Sequence, residues 1–266
     1  MEAPSPATAR PTAAMKLLPR DLPDLLPVPA AASRSVGWTE LDTAPGDVEP
    51  PLLNPVQTES VRIGSAGLPG VFESVEHALG VVVFVHGAGS GHASPRSVAV
   101  ARVLQRHGLS TLRFDLALPG DAPDVDAGDA LARAALRVGD ALGWVLSRHP
   151  RQRPRLGLFG ASSGAAAALF AAAAARGLVD ALVLRGGRVD LADEVLAEVT
   201  APTLLLVGER DTGVLAMNRR ALGRLGGGAR LAVVPGAGHL FQEPGTLEVA
   251  ARWSAAWFCG HFDDGW

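Results

Sequence analysis

The sequence predicts an α/β fold, a mostly parallel central sheet with helices on both faces. Three observations carry this. From about Glu59 onward, short apolar runs alternate with longer stretches whose apolar residues recur at helical spacing. Such alternation implies parallel strands joined by right-handed crossovers. Residues 81–85 (Val-Val-Val-Phe-Val) are unbroken and mostly β-branched, the pattern of a strand buried on both faces. Finally, 266 residues are enough for one large domain or two small ones, and 48% hydrophobic with 19% charged is ample for a sizeable core.

The elements follow in order. Residues 60–63 and 68–73 are expected as two short antiparallel strands at a sheet edge, and 81–85 as the first buried strand. Residues 95–107 are helical in pattern and stop at Gly108; 110–116 form the next strand. Over 126–148, Leu131, Ala134, Leu136, Ala141, Trp144 and Val145 recur at helical spacing. Strand 155–159, alanine-rich helix 163–176, strand 181–185, a short helix near 191–199 and strand 203–207 come next. Helix 214–225, strand 230–234 and helix 245–258 complete the series.

Residues 1–57 read differently. They hold 11 of the 20 prolines, too many for regular hydrogen bonding to persist. This segment is expected as a flexible leader, with a short docking piece around Leu25 and Val28, ahead of a domain over 58–266. A mitochondrial-type presequence is the rival, but Asp21, Asp24 and the prolines oppose an amphipathic helix. Met15 is an alternative start.

Composition narrows the function classes. Net charge is −3 and the basic residues are scattered, which argues against a nucleic-acid groove or a polybasic membrane patch. Arginine outnumbers lysine, with Lys16 alone, and tyrosine is absent; this bias reads as genomic composition. Cys259 is the sole cysteine, so no intrachain disulfide or cysteine-based metal cluster can form. No run reaches the roughly 20 apolar residues of a membrane helix, and the first residues lack a secretory pattern. The expectation is a cytoplasmic protein with no cofactor or metal, no membrane or nucleic-acid partner, and an oligomeric state the sequence leaves open.

In parallel sheets of this kind, chemistry collects at the carboxyl ends of the strands. There, residues 156–159 run into Gly160-Ala161-Ser162-Ser163-Gly164, followed at once by the alanine-rich helix. A G-x-S-x-G between strand and helix is a nucleophile elbow of the α/β-hydrolase type. The serine occupies a sharp strained turn, so the positions two away on either side must be small. An ordinary glycine-serine turn is the competing reading of the pentapeptide taken alone. Beyond strand 203–207 comes Gly208-Glu209-Arg210-Asp211, and beyond strand 230–234 comes Pro235-Gly236-Ala237-Gly238-His239. The order Ser162, Asp211, His239 is that of an α/β-hydrolase triad. A serine hydroxyl needs a neutral imidazole to take its proton, and the imidazolium needs a carboxylate to orient it.

Each partner has competitors. Asp211 would also suit the N-cap of the following helix, and a triad acid there can do both. Glu209 is the main rival acid and Asp190 a weaker one. Among other histidines, His107 and His149 end surface helices, while His77 and His261 lie in turns or near a terminus. His86-Gly87-Ala88-Gly89 has the composition of an oxyanion-hole loop. The N–H groups of Ser163 and Ala88 are the expected donors, with Gly89 as substitute and as a substrate contact. His86 is expected to brace that loop. A phosphate loop fails for want of G-x-x-x-x-G-K-[ST] or an acidic partner for G-x-G-x-x-G.

Together these stretches resemble the dienelactone hydrolase-like group of α/β-hydrolases, and more closely the hydrolase module found fused to a phosphoribosyltransferase domain. The strings that carry the resemblance begin with Val82-Val83-Phe84-Val85-His86-Gly87-Ala88-Gly89-Ser90-Gly91, with Ser94-Pro95-Arg96. They continue with Phe159 to Ala166, Arg185-Gly186-Gly187-Arg188-Val189-Asp190, Ala201-Pro202-Thr203, Gly208, Asp211 and Asn218-Arg219. They end with Val234-Pro235-Gly236-Ala237-Gly238-His239-Leu240-Phe241-Gln242-Glu243-Pro244-Gly245, so the likeness spans about 80–260. It implies a small serine hydrolase with a small-molecule ester substrate. Dienelactone hydrolases proper use a cysteine nucleophile, whereas Ser162 stands here, so lactone chemistry does not carry over with the name.

The stretch between Arg188 and Ala201 is too short for a multi-helix cap, so no large lid is expected over the site. Arg185 and Arg188 are candidates to bind a substrate carboxylate; solvated arginines, or ones paired with Asp190 and Glu194, are the alternative. Two function classes stand. One is a serine hydrolase of a small ester, thioester or lactone, and the other is a catalytically silent member used as a binding module.

Overall fold

The computed structural model describes residues 55–119, 121 and 127–262. The expected leader therefore lies outside the described residues up to position 54. Eight strands form: β1 (Val56–Ile63), β2 (Leu68–Val75), β3 (Gly80–Val85), β4 (Leu109–Phe114), β5 (Leu156–Ala161), β6 (Ala181–Arg185), β7 (Thr203–Gly208) and β8 (Ala229–Val234). They make one sheet in the order β1-β2-β4-β3-β5-β6-β7-β8. β1 and β2 are the antiparallel edge pair, and β2 joins β4 antiparallel. Every pairing from β4 across to β8 is parallel.

Strands β3 to β7 are buried along their lengths except at Ala161, the last residue of β5, as expected for a parallel sheet covered on both faces. On one face lie α2 (Ala127–Ser147) and α3 (Gly164–Ala174), with a 3₁₀ segment Val189–Glu198 packed on α3. On the other lie α1 (Pro95–Arg106) and α5 (Thr246–Phe262). α4 (Thr212–Ala221) covers the β7 end. Helix α3 is apolar all round and almost wholly buried, consistent with a helix enclosed by sheet and neighbours rather than one facing water.

Several boundaries differ from the sequence-based expectation: β1 begins at Val56, inside the segment expected as leader, and helix 214–225 is instead Thr212–Ala221. Three further differences have a local reason. β4 stops at Phe114, because the Leu116 N–H donates to His86 Nε2 at 3.0 Å instead of to a strand. β5 runs on through Gly160 and Ala161, which pair with Leu184 and Arg185. α5 continues four residues beyond Phe258 to Phe262, whose ring is fully buried. Glycines make room for it: a Cβ at Gly157 would fall 2.5 Å from the Phe258 ring, and one at Gly80 2.7 Å from that of Phe262. Between β6 and β7 the only regular element is the 3₁₀ segment, so no helical lid is inserted there.

Candidate active site

The position of Ser162 follows from steric necessity at the elbow. Ser162 has φ 52°, a left-handed conformation that costs a non-glycine residue on the order of 1 kcal/mol. Its flanking glycines cannot be replaced without displacement. A Cβ at Gly164 would lie 2.3 Å from the Val85 carbonyl oxygen, and one at Gly160 2.8 Å from Ala165 Cα. The turn is tied to β6, since the Ser162 N–H donates to the Arg185 carbonyl at 3.1 Å and the Arg188 N–H to the Ser162 carbonyl at 3.0 Å.

Three expected residues meet at this point. Ser162 Oγ lies 3.3 Å from His239 Nε2, and His239 Nδ1 lies 2.6 Å from Asp211 Oδ2. An ionised carboxylate only accepts, so the ring proton sits on Nδ1 and Nε2 is left to accept from the serine hydroxyl. Asp211 stands at the N-cap position of α4 yet makes no capping bond with its side chain. Its carboxylate serves the imidazole instead. The rival acids have other partners: Glu209 accepts the Gly236 N–H at 2.8 Å, and Asp190 pairs with Arg188.

Side chains tie down both the loop carrying His239 and the glycine pair after β6. Glu243 accepts the Gly238 N–H at 3.1 Å, and that bond lowers its carboxyl pKa. Buried Asn218 donates to the Gly187 and Val214 carbonyls, both at 2.9 Å, fixing the glycine pair after β6 against α4.

The loop after β3 is braced as firmly. His86 donates from Nδ1 to the Gly87 carbonyl at 2.9 Å while its Nε2 accepts from Leu116. His92 donates to Asp115 Oδ1 from both its backbone N–H (2.6 Å) and its Nδ1 (2.8 Å). Arg113 is nearly buried; it pairs with Glu73 at 2.9 Å and donates to the His92 carbonyl. No local sequence pattern marks His92 and Arg113, whose partners lie 21 to 40 positions away. Ala88, an expected oxyanion donor, directs its N–H to Ser163 Oγ at 3.0 Å. Gly89 is exposed, with φ 72°.

The two arginines part company. Arg188 is half-exposed and forms a two-bond pair with Asp190 at 2.9 and 2.8 Å, which raises its own pKa and lowers that of Asp190. Arg185 is 9% exposed; among the described residues it has no ion pair, and its buried Nε and Nη1 have no acceptor. Among the described residues, no His, Cys, Asp and Glu side chains gather as a metal site requires. None of the described helices is long and apolar enough to cross a membrane.

No protein-family model matches the chain. A crystal structure of dienelactone hydrolase from Anabaena variabilis is 40% identical, with a TM-score of 0.70, covering 78% of this chain and 98% of that one. A lidless α/β serine hydrolase from Xanthomonas campestris matches in fold at 22% identity and a TM-score of 0.58, over 77% and 94% of the two chains. A putative phosphoribosyl transferase of Mycobacterium tuberculosis is 44% identical over 209 residues, 78% of this chain. The chain spans 47% of that relative's length.

Proposed function

Because the chain belongs to the dienelactone hydrolase family of α/β-hydrolases, we propose that it is a serine hydrolase of a small ester, thioester or lactone, acting in the cytoplasm. The observation that carries this reading is the continuous chain Ser162–His239–Asp211, at 3.3 and 2.6 Å, on a strained elbow.

In this mechanism Ser162 Oγ attacks the substrate carbonyl carbon as His239 Nε2 takes its proton. Asp211 holds the ring and stabilises the imidazolium without itself taking the proton. The oxyanion of the tetrahedral intermediate receives the N–H groups of Ser163 and Ala88. Collapse breaks the bond to the leaving oxygen or sulfur, which takes the proton from His239. Water then attacks the acyl-serine ester with His239 again as base. Ser162 is released, and the acid departs.

Replacement of cysteine by serine at the elbow sharpens the requirement for the base. A cysteine has a few per cent thiolate near neutrality, but a serine is unreactive until its proton is removed. The 3.3 Å approach of His239 supplies that step. A fluorophosphonate probe tests the reading: it is expected to label the wild-type protein at Ser162 and not the Ser162→Ala variant. Absence of labelling in a folded protein would favour the binding-module alternative.

A further inference from the structure

Arg185 is out of place as a structural residue. It ends β6 beside the elbow, its backbone carbonyl accepting the Ser162 N–H, while the residue is 9% exposed and two of its buried nitrogens find no acceptor among the described residues. Strand alternation puts it on the same face as Val183, among the residues that pack with α1, α5 and Phe241. The Phe241 ring lies 5.4 Å from its guanidinium carbon. Stacking of that kind covers a face of the group but accepts none of its edge N–H bonds.

The nearby charge is of the same sign. Arg96, the second residue of α1, adds its repulsion to the dominant effect of burial, and together they lower the Arg185 pKa to about 10. Arg185 thus stays charged at neutral pH. Among the described residues neither Arg185 nor Arg96 forms an ion pair, although Arg188, three positions on, has Asp190. Strands β3 and β6 flank β5, so Arg96, after the β3 loop, and Arg185, at the β6 end, approach the Ser162 edge of the sheet from either side. A buried charge without a partner is strongly unfavourable, and Arg185, acted on by the charge of half-buried Arg96, has the electrostatic form of an anion site.

We propose that Arg185 and Arg96 form a subsite for a phosphate group carried by the substrate, next to the carbonyl that Ser162 attacks. The inference rests on the serine hydrolase reading and names its substrate class, an ester, thioester or lactone bearing a phosphate monoester. Charge count selects phosphate over carboxylate: two guanidinium groups carry +2, and a phosphate monoester brings about −1.5 to −2 at pH 7, whereas one carboxylate leaves a charge uncompensated. Guanidinium donors also match phosphate oxygens in geometry.

The full-length Ser162→Ala protein separates this inference from catalysis. Inorganic phosphate at ten times its Kd is expected to raise its Tm by about 3–6 °C, and succinate by less. Arg96→Gln and Arg185→Met, each made in that background, are expected to weaken phosphate binding about tenfold or more. Arg185→Met is not expected to lower Tm without phosphate, since the lost charge had no acceptor; a large drop would mark Arg185 as structural and overturn the subsite. With active wild-type enzyme, glycerol 3-phosphate is expected to inhibit neutral-ester hydrolysis competitively. Stabilisation without competition would place the anion away from substrate, and a larger shift with succinate would make the substrate a carboxylate; either overturns the proposal, as does no shift with phosphate. Failure of fluorophosphonate labelling, by contrast, strikes the hydrolase reading and leaves the binding result standing.

Discussion

Ser163 Oγ accepts the Ala88 N–H at 3.0 Å, so one of the two amides assigned to the oxyanion is engaged by the residue that supplies the other. Substrate must displace that hydroxyl before the Ala88 N–H can serve. A neutral hydrogen bond is worth about 0.5–1.5 kcal/mol net. Ser163→Ala is therefore expected to raise kcat/KM for a small activated ester roughly two- to tenfold. A fall of tenfold or more would instead assign the Ser163 hydroxyl to holding the loop.

Strain at Ser162 separates stability from activity. With φ 52° at Ser162, Ser162→Gly is expected to hold or raise stability by about 0.5–1 kcal/mol, whereas Ser162→Ala stays within about 1 kcal/mol of wild type. Both variants are expected to lose ester turnover by on the order of 10³-fold or more. His239→Ala is expected to match them, and the double variant with Ser162→Ala to be little worse. Thermal melts beside ester assays check both halves.

The acid assignment has its own control. Asp211→Asn is expected to lower kcat markedly but by less than loss of the serine, because the imidazole keeps Nε2 near Ser162 while losing its stabilising charge. Glu209→Gln, whose carboxylate holds the Gly236 N–H, is expected to change kcat less than threefold. A reversal of these two effects would move the acid to Glu209.

Gly164 is a packing prediction. A Cβ there would meet two backbone oxygens, of Val85 at 2.3 Å and His86 at 2.4 Å. Backbone cannot step aside as a flexible side chain can. Gly164→Ala is expected to destabilise by about 2 kcal/mol or more, in the range of core overpacking, measured by denaturant midpoint.

Acid sensitivity centres on Asp121. Two hydrogen bonds from Arg137 at 2.7 Å, then the Leu118 N–H, hold its carboxyl far below the usual value of 3.8. A depressed folded pKa contributes stability that is complete above the unfolded pKa and is lost as pH falls through the folded one. Asp121→Asn is thus expected to cost about 2 kcal/mol at pH 7. The gap to wild type narrows only well below pH 3.8. A gap that closes already at pH 5 would contradict the pairing.

Legibility in the sequence tracked locality. The elbow was readable because its pattern is local: glycines stand two positions either side of Ser162, although what keeps Gly164 small is the distant backbone of Val85 and His86. Asp211 and His239 were readable from their places beyond successive strands. The brace of His92, Asp115, Arg113 and Glu73 was not, because its members come from three elements and meet only through sheet order. Arg185 and Arg188 read alike in sequence, yet one has Asp190 and the other no acceptor. Nothing in Arg-Gly-Gly-Arg announces that difference; strand alternation and the neighbouring α1 create it.

Asp211 turns away from the helix it begins. Its carboxylate goes to His239, so the first amides of α4, at Thr212 and Gly213, have no side-chain cap, and both residues are exposed. The first hydrogen bond of that helix within its own backbone is from the Leu215 N–H to the Asp211 carbonyl at 2.9 Å. An uncapped first turn opens more readily than the turns behind it. In deuterated solvent, Thr212 and Gly213 should exchange their protons well before Leu215, making this short stretch of backbone a reporter beside the imidazole. The orientation of His239 is thereby bound to a helix end that frays.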